Sequence, residues 1–304
     1  MDRKTREEYK NWKKGYYHMS LERLDGRLLF NSPQAYRMGM NSVALAQLKY
    51  DVEVYAIELM PNHLHKILSG TGLECLKVFA FLKRRLSNQL VREGFPPLPE
   101  NYGFKLTPIE DRDALRKQIL YTVRNPYEKD FCIPGGQPWG SGYLYFNHLA
   151  DVIRGEKVAN LSKRMVYELV GSHEELPPEW EIHPQLGILP RCYVRTEKVT
   201  QLFSSAKGYL TCLVKEYEAM VKIARTLDEE VEFSAEEVQD IVNTELRRIY
   251  PGRLFKTLTP EEKCRTAVSL NNRMGLTPRQ LAQALHISEL AISQAIRSKD
   301  YGIR

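Results

Sequence analysis

Between Val52 and Ser69 the sequence leaves room for little except a β-hairpin. VEVYAIELM (52–60) is dense in β-formers, Pro61-Asn62 is a turn dipeptide, and HLHKILS (63–69) reads as a returning strand. Two strands joined by so short a turn must lie antiparallel in one sheet, and the flanking segments have to be arranged around that pair. Upstream, YYHMSLERL (16–24) alternates as a strand, Asp25-Gly26 is a turn signal, and Leu28 to Phe30 extends a second short strand. Ser32-Pro33 then opens a helix over 34–48, with Tyr36, Met40, Val43, Leu45 and Leu48 near helical spacing and Gly39 weakening it.

Downstream, apolar residues at 73, 76, 79, 82, 86 and 90 step by three and four, predicting a helix from Gly72 to Glu93. A Pro-rich loop (95–101), a strand at 103–109 and a helix capped by Asp111 or Asp113 follow, the last halted by Pro126. The order β-α-β-β-α-β-α predicts an α+β fold, a ferredoxin-like (split βαβ) antiparallel sheet with one added helix. Residues 127–195 are broken by Gly135-Gly136, Trp139-Gly140-Ser141-Gly142 and Pro177-Pro178, which predicts irregular structure around one or two short helices. A long helix is expected over 196–225, then an acidic stretch, DEEVEFSAEE, leading into a helix over Val238 to Tyr250.

At 304 residues, 43% hydrophobic and 27% charged, the chain is well cored rather than disordered. No apolar run reaches the roughly 18 residues of a membrane span, and the charged start lacks an apolar h-region, so a cytoplasmic protein is expected. Five scattered cysteines without a C-x-x-C pair argue against a disulfide framework and against a thiolate zinc site. Charge is uneven: Arg247 to Arg304 holds eleven Lys and Arg against four acids, +7 where the whole chain carries +6. A polyanionic partner is therefore expected at the C-terminal end, with a solvated basic face as the plainer account.

His63 and His65 stand at i and i+2, on one face of a strand about 7 Å apart at Cα. Two neutral imidazoles so placed can share a divalent ion if a third ligand arrives from elsewhere. Tyr121 and Asn125, four apart on the following helix, share a face. If that helix packs by the His strand, Asn125 offers an amide oxygen and Tyr121 a phenol. Each also has an ordinary role, Tyr121 as a core aromatic and Asn125 as a helix C-cap.

Together, M-P-N-H-L-H after a hydrophobic strand and Y-x-x-x-N-P about 55 residues later resemble the single-tyrosine HUH transposases, within them the group associated with repetitive extragenic palindromes. The resemblance spans roughly residues 15–150. It implies an HUH domain with His63 and His65 as metal ligands, Tyr121 as nucleophile and Asn125 completing a Mg²⁺ or Mn²⁺ site. It implies transesterification on single-stranded DNA hairpins through a 5′-phosphotyrosine, by an endonuclease and strand transferase that needs no ATP. Glu58, Lys66, Lys117 and Arg124 are candidates to assist the phenol. Lys83, Arg84, Arg85 and Arg124 are candidate contacts to the nucleic-acid backbone. Tyr102, Phe104, Trp139, Tyr143, Tyr145 and Phe146 are either base-stacking or core aromatics. Trp139-Gly140-Ser141 receives no role.

Residues 259–298 carry a second pattern. Thr277-Pro278 starts a helix, His286-Ile287 turns, and Ser288 caps another, with Leu281, Leu285, Ile287, Ile292 and Ile296 facing inward. This resembles a helix-turn-helix whose second helix offers Ser288, Glu289, Ser293, Gln294 and Arg297, with Arg279 nearby, to duplex DNA. The expected organisation is an HUH domain (1–150), an irregular and helical connecting region (151–235) and a mostly helical, helix-turn-helix DNA-binding region (236–304). No membrane partner is expected, and the state is monomer or homodimer. Two competing readings are a non-catalytic DNA-binding regulator on the same fold and a structural protein in which the His pair and Tyr121 are packing groups.

Overall fold

A computed structural model describes residues 3–24, 27–125, 136–146, 149–215, 217–227 and 231–298. The expected turn at Asp25-Gly26, the helix stop at Pro126, Gly135 and the start of the acidic stretch at 228–230 lie outside the described residues. The chain divides into two compact units, Met1–Val214 and Lys215–Arg304.

The first unit runs α1 (Arg3–Lys10), β1 (Gly15–Leu21), α2 (Pro33–Lys49), β2 (Glu53–Met60), β3 (His63–Gly70), α3 (Gly72–Arg92), β4 (Phe104–Ile109), α4 (Arg112–Arg124), α5 (Leu149–Val152), β5 (Glu156–Lys157), α6 (Lys163–Val170), β6 (Glu181–His183), β7 (Gly187–Ile188), α7 (Thr196–Thr200) and α8 (Ala206–Lys215). It is α+β, built on an antiparallel sheet in the order β2-β3-β1-β4. The hairpin forms as its sequence requires, Met60 facing His63 across the Pro61-Asn62 turn. Leu28 to Phe30 forms no strand.

Register separates the two faces of the sheet. Glu58, His65 and Ser20 lie on one face, while Ile57, Lys66 and Met19 lie on the other. Both faces are covered, which is why β2 and β3 are buried almost end to end. On the second face, α3 stacks Phe79 on Phe104 with ring centroids 4.3 Å apart. There α2 brings Gly39 so close that a Cβ would sit 2.5 Å from Leu59 Cδ2 and 2.6 Å from Phe30 Cε1. Gly39, a weak helix former, is thus the point of closest helix-to-sheet approach. The first face is covered by α4, whose N-cap Asp111 accepts from the Ala114 N–H.

The open edge of β2 is closed by two distant segments. Leu59 N–H donates to Trp139 O, Ser141 N–H donates to Ile57 O, and Arg195 N–H donates to Val54 O. Trp139-Gly140-Ser141 therefore acts as an edge cover, removing unpaired strand groups from solvent. Past residue 150 the sequence reading missed a small antiparallel sheet, β5-β6-β7, because its strands are two or three residues long. Within the first unit this region packs on α2, where Asn41 donates to Leu169 O and accepts from Ile188 N–H. The helix expected over 196–225 is broken at Gln201–Ser205. Ser205 Oγ accepts from Gly208 N–H at 3.0 Å and restarts the helix, a side-chain bond that competes with continuation.

The second unit holds α9 (Tyr217–Leu227), α10 (Ala235–Ile249), α11 (Pro260–Met274), α12 (Pro278–Leu285) and α13 (Glu289–Arg297). Capping boxes start α10, α11 and α12, pairing Ser234 with Glu237, Thr259 with Glu262 and Thr277 with Gln280. Its core gathers Ile241, Val242, Leu270, Leu281, Leu285 and Ile292, each worth about 1.5–3 kcal/mol buried. Ile287 and Ile296 are partly buried against it. His286 ends α12 in the left-handed region at φ 52° and Ser288 caps α13, accepting from Ala291 N–H.

Candidate active site

The period of two on β3 sends both imidazoles to the α4 side, where His63 and His65 are buried at 1% and 0% exposure. Their Nε2 atoms lie 2.9 Å apart and their rings are nearly perpendicular. Two nitrogens bound side by side to one ion at about 2.0–2.1 Å each lie about 3 Å apart, so the pair fits a shared divalent ion. The remaining ring nitrogens are held. Asn62 Oδ1 accepts from His63 Nδ1–H at 2.7 Å, and His65 Nδ1 lies 3.0 Å from Nε2 of His18 on β1. His18 Nδ1–H donates to Gln118 Oε1 on α4 at 2.6 Å.

Tyr121 follows Gln118 by three residues, on the same face of α4. Its ring lies edge-on to His65 with centroids 5.8 Å apart, and 6.1 Å from His18. It is 2% exposed. Asn125 is the C-cap of α4, buried, and its Nδ2 has no hydrogen-bond partner among the described residues. Among the described residues no set of three His, Cys, Asp or Glu side chains is placed to hold a metal ion.

The candidate helpers separate by face. Glu58 lies across the strand from His65, on the same side, fully buried, with neither carboxyl oxygen hydrogen-bonded among the described residues. Burial raises its pKa well above the usual carboxylate range. Lys66 points to the opposite face, where burial lowers its pKa to about 8 against the opposing influence of Cys75, too far around the sheet to serve Tyr121. Lys117 pairs with Asp113 at 2.6 Å. Arg124 is fully buried and donates Nη1 to Leu213 O at 3.0 Å; it is a structural tie, not a surface contact for DNA.

The Lys83-Arg84-Arg85 run lies on α3, against the sheet face opposite the His pair. Lys83 Nζ donates to the carbonyls of Glu100 and Tyr102, and Arg85 donates to Ser42, Val170 and Gly171. Arg84 alone of the three is exposed, and with Arg6 and Lys83 it lines a cavity of about 420 Å³. Tyr102, Phe104, Tyr143 and Tyr145 are buried and belong to the core; Trp139 and Phe146 are partly exposed, Trp139 stacked on Tyr36. In the second unit Arg279, Ser288, Glu289, Gln294 and Arg297 are exposed and Ser293 half-buried.

His18, Gln118 and Asn62 escaped the sequence reading. The strand expected at 16–24 contains His18, and in a split βαβ sheet that strand neighbours the His63–His65 strand. Combining those two facts puts three histidines side by side.

No protein-family model and no curated protein matches the chain. Among solved structures, a REP-associated tyrosine transposase bound to a REP hairpin aligns with 42% of this chain and 78% of its own at 16% identity. The TM-score is 0.36, a likeness too slight to carry a functional statement.

Proposed function

We propose that this chain is a divalent-metal-dependent single-stranded DNA endonuclease and strand transferase, with residues 15–125 as its ferredoxin-like catalytic core. The observation that carries the reading is the convergence of His63 Nε2 and His65 Nε2 at 2.9 Å beside the Tyr121 ring. The core assignment rests on the all-antiparallel order β2-β3-β1-β4, with α2 and α3 on one face and α4 on the other.

His63, His65 and Asn125 would hold Mg²⁺ or Mn²⁺, which would supply Lewis-acid polarisation at the scissile phosphate. Tyr121 attacks phosphorus in line, forming a 5′-phosphotyrosine as the bond to the 3′ oxygen breaks. The phenol gives up its proton and the departing oxygen takes one to become a 3′-hydroxyl. Attack by a second 3′-hydroxyl reverses these steps and joins strands. A free phenol has a pKa near about 10, so Tyr121 must be assisted in losing its proton. In the second unit, α12 and α13 are read as a helix-turn-helix for duplex DNA, with Arg279, Ser288, Ser293, Gln294 and Arg297 as its contacts.

One observation favours the non-catalytic reading. Tyr121 and both histidines are buried, so a phosphate reaches them only when covering residues move. The deciding experiment incubates purified protein and its Tyr121→Phe variant with Mn²⁺ and labelled hairpin oligonucleotides from around its coding locus. A covalent adduct that needs both Tyr121 and Mn²⁺ is expected. Hairpin binding with no adduct in any metal makes the chain a binding protein.

A further inference from the structure

We propose that His18 is a positioning residue that locks His65 in its metal-binding tautomer and, through Gln118, ties the Tyr121 helix to the same hydrogen-bonded chain. The inference rests on the metal reading above and deepens it.

Four contacts join the residues in one chain: Asn62 Oδ1 to His63 Nδ1 at 2.7 Å, His63 Nε2 to His65 Nε2 at 2.9 Å, His65 Nδ1 to His18 Nε2 at 3.0 Å, and His18 Nδ1 to Gln118 Oε1 at 2.6 Å. Both ends are amide oxygens, which only accept. His63 and His18 must therefore carry their protons on Nδ1. Neutral His18 then presents a lone pair at Nε2, and the contact to His65 closes only if His65 donates from its own Nδ1. That leaves no proton on Nε2 of either His63 or His65, and the two nitrogens face one another. Two lone pairs at 2.9 Å repel, and a cation between them resolves the conflict. The ends of the chain thus dictate, two residues away, that the pair is prepared for a metal.

Metal-ligating histidines characteristically donate their second N–H to a carboxylate, carbonyl or water, and loss of that partner costs about 10–100-fold in affinity. Here a third imidazole takes the partner's place on a neighbouring strand. Gln118 and Tyr121 share a face of α4, so the bond that orients His18 also fixes the helix carrying the phenol.

The test has two readouts that need no DNA. Two-bond ¹H–¹⁵N correlation spectra of the metal-free protein report each ring's tautomer, and calorimetric titration with Mn²⁺ alone reports affinity. Wild type is expected to show Nδ1–H at His18, His63 and His65. His18→Leu, which keeps volume but offers no acceptor, is expected to move the His65 proton to Nε2 and weaken Mn²⁺ binding 10–100-fold. His18→Gln, whose side-chain oxygen can accept from His65, is expected to restore both. Gln118→Leu, outside the sheet, is expected to release His18 from its Nδ1–H form and guards against a His18→Leu protein that fails to fold. Nε2–H at His65 in wild type, or unchanged Mn²⁺ affinity in folded His18→Leu, overturns the proposal alone. Nδ1–H at His65 with no Mn²⁺ binding in wild type overturns the metal reading and this proposal with it.

Discussion

Arg85 separates a structural arginine from a DNA-binding one, because its neighbour Arg84 has the same chemistry in a different place. The Arg85 guanidinium donates Nε to Ser42 Oγ at 2.8 Å, Nη2 to Val170 O at 3.2 Å and Nη1 to Gly171 O at 3.3 Å. Val170 and its C-cap Gly171 end α6, where carbonyls carry the negative end of the helix dipole. Burial, with Arg92 and Arg84 adding to it, lowers the pKa of Arg85, a desolvation cost that these acceptors offset. Arg85→Met keeps most of the stem and removes every donor. The short bond is worth about 1.5–3 kcal/mol and each longer one about 0.5–1 kcal/mol. Relief of the desolvation cost reduces the sum, leaving a net loss of about 2–4 kcal/mol. Urea unfolding should show a lower midpoint with an unchanged m-value. Arg84→Gln, on an exposed side chain, should shift stability by less than about 0.5 kcal/mol. If α3 meets DNA at all, Arg84→Gln should reduce hairpin affinity and flatten its dependence on log salt by about 0.7. An Arg85→Met protein as stable as wild type but weaker for DNA refutes the reasoning and makes Arg85 a phosphate contact.

Three further outcomes are expected. Gly140→Ala should cost about 1–3 kcal/mol, because a Cβ there runs into the buried Glu58 carboxyl group; a double-mutant cycle with Glu58→Ala should recover most of it, and strict additivity sinks the clash. Burial pushes the Cys75 thiol up to about 12, with Lys66 opposing, so its contribution to stability is full below its ordinary value of 9.0 and is lost as pH rises towards 12. Thermal unfolding of Cys75→Ala between pH 9 and 11.5 should therefore fall off less steeply than wild type. Arg279→Gln and Arg297→Gln should each lower the salt slope of duplex DNA binding by about 0.9, and unchanged slopes remove α12 and α13 from the duplex contact.

Local pattern carried much of this far. The hairpin at 52–70, the α3 periodicity and the Asp111 cap rest on interactions within a few residues, where spacing and residue type decide the outcome; the capping boxes at Ser234 and Thr259 are as local but went unread. The same period of two already set His63 and His65 on one face. The broken helix at 201–205 escaped because a serine side chain competed successfully with the backbone ladder, and the β5-β6-β7 sheet because two-residue strands have no period to read.

The sequence by itself determined which residue types stand on which face of each element, since that depends on backbone geometry alone. Tertiary structure decided which faces meet. It put His18 against His65 across 47 positions and Gln118 against His18 across 100, buried Arg124 and Arg85, and brought Trp139-Gly140-Ser141 to the edge of β2. The physical reason is that buried polar groups take whatever partner the packed fold brings within reach, and that partner leaves no trace in the spacing of the chain around either residue.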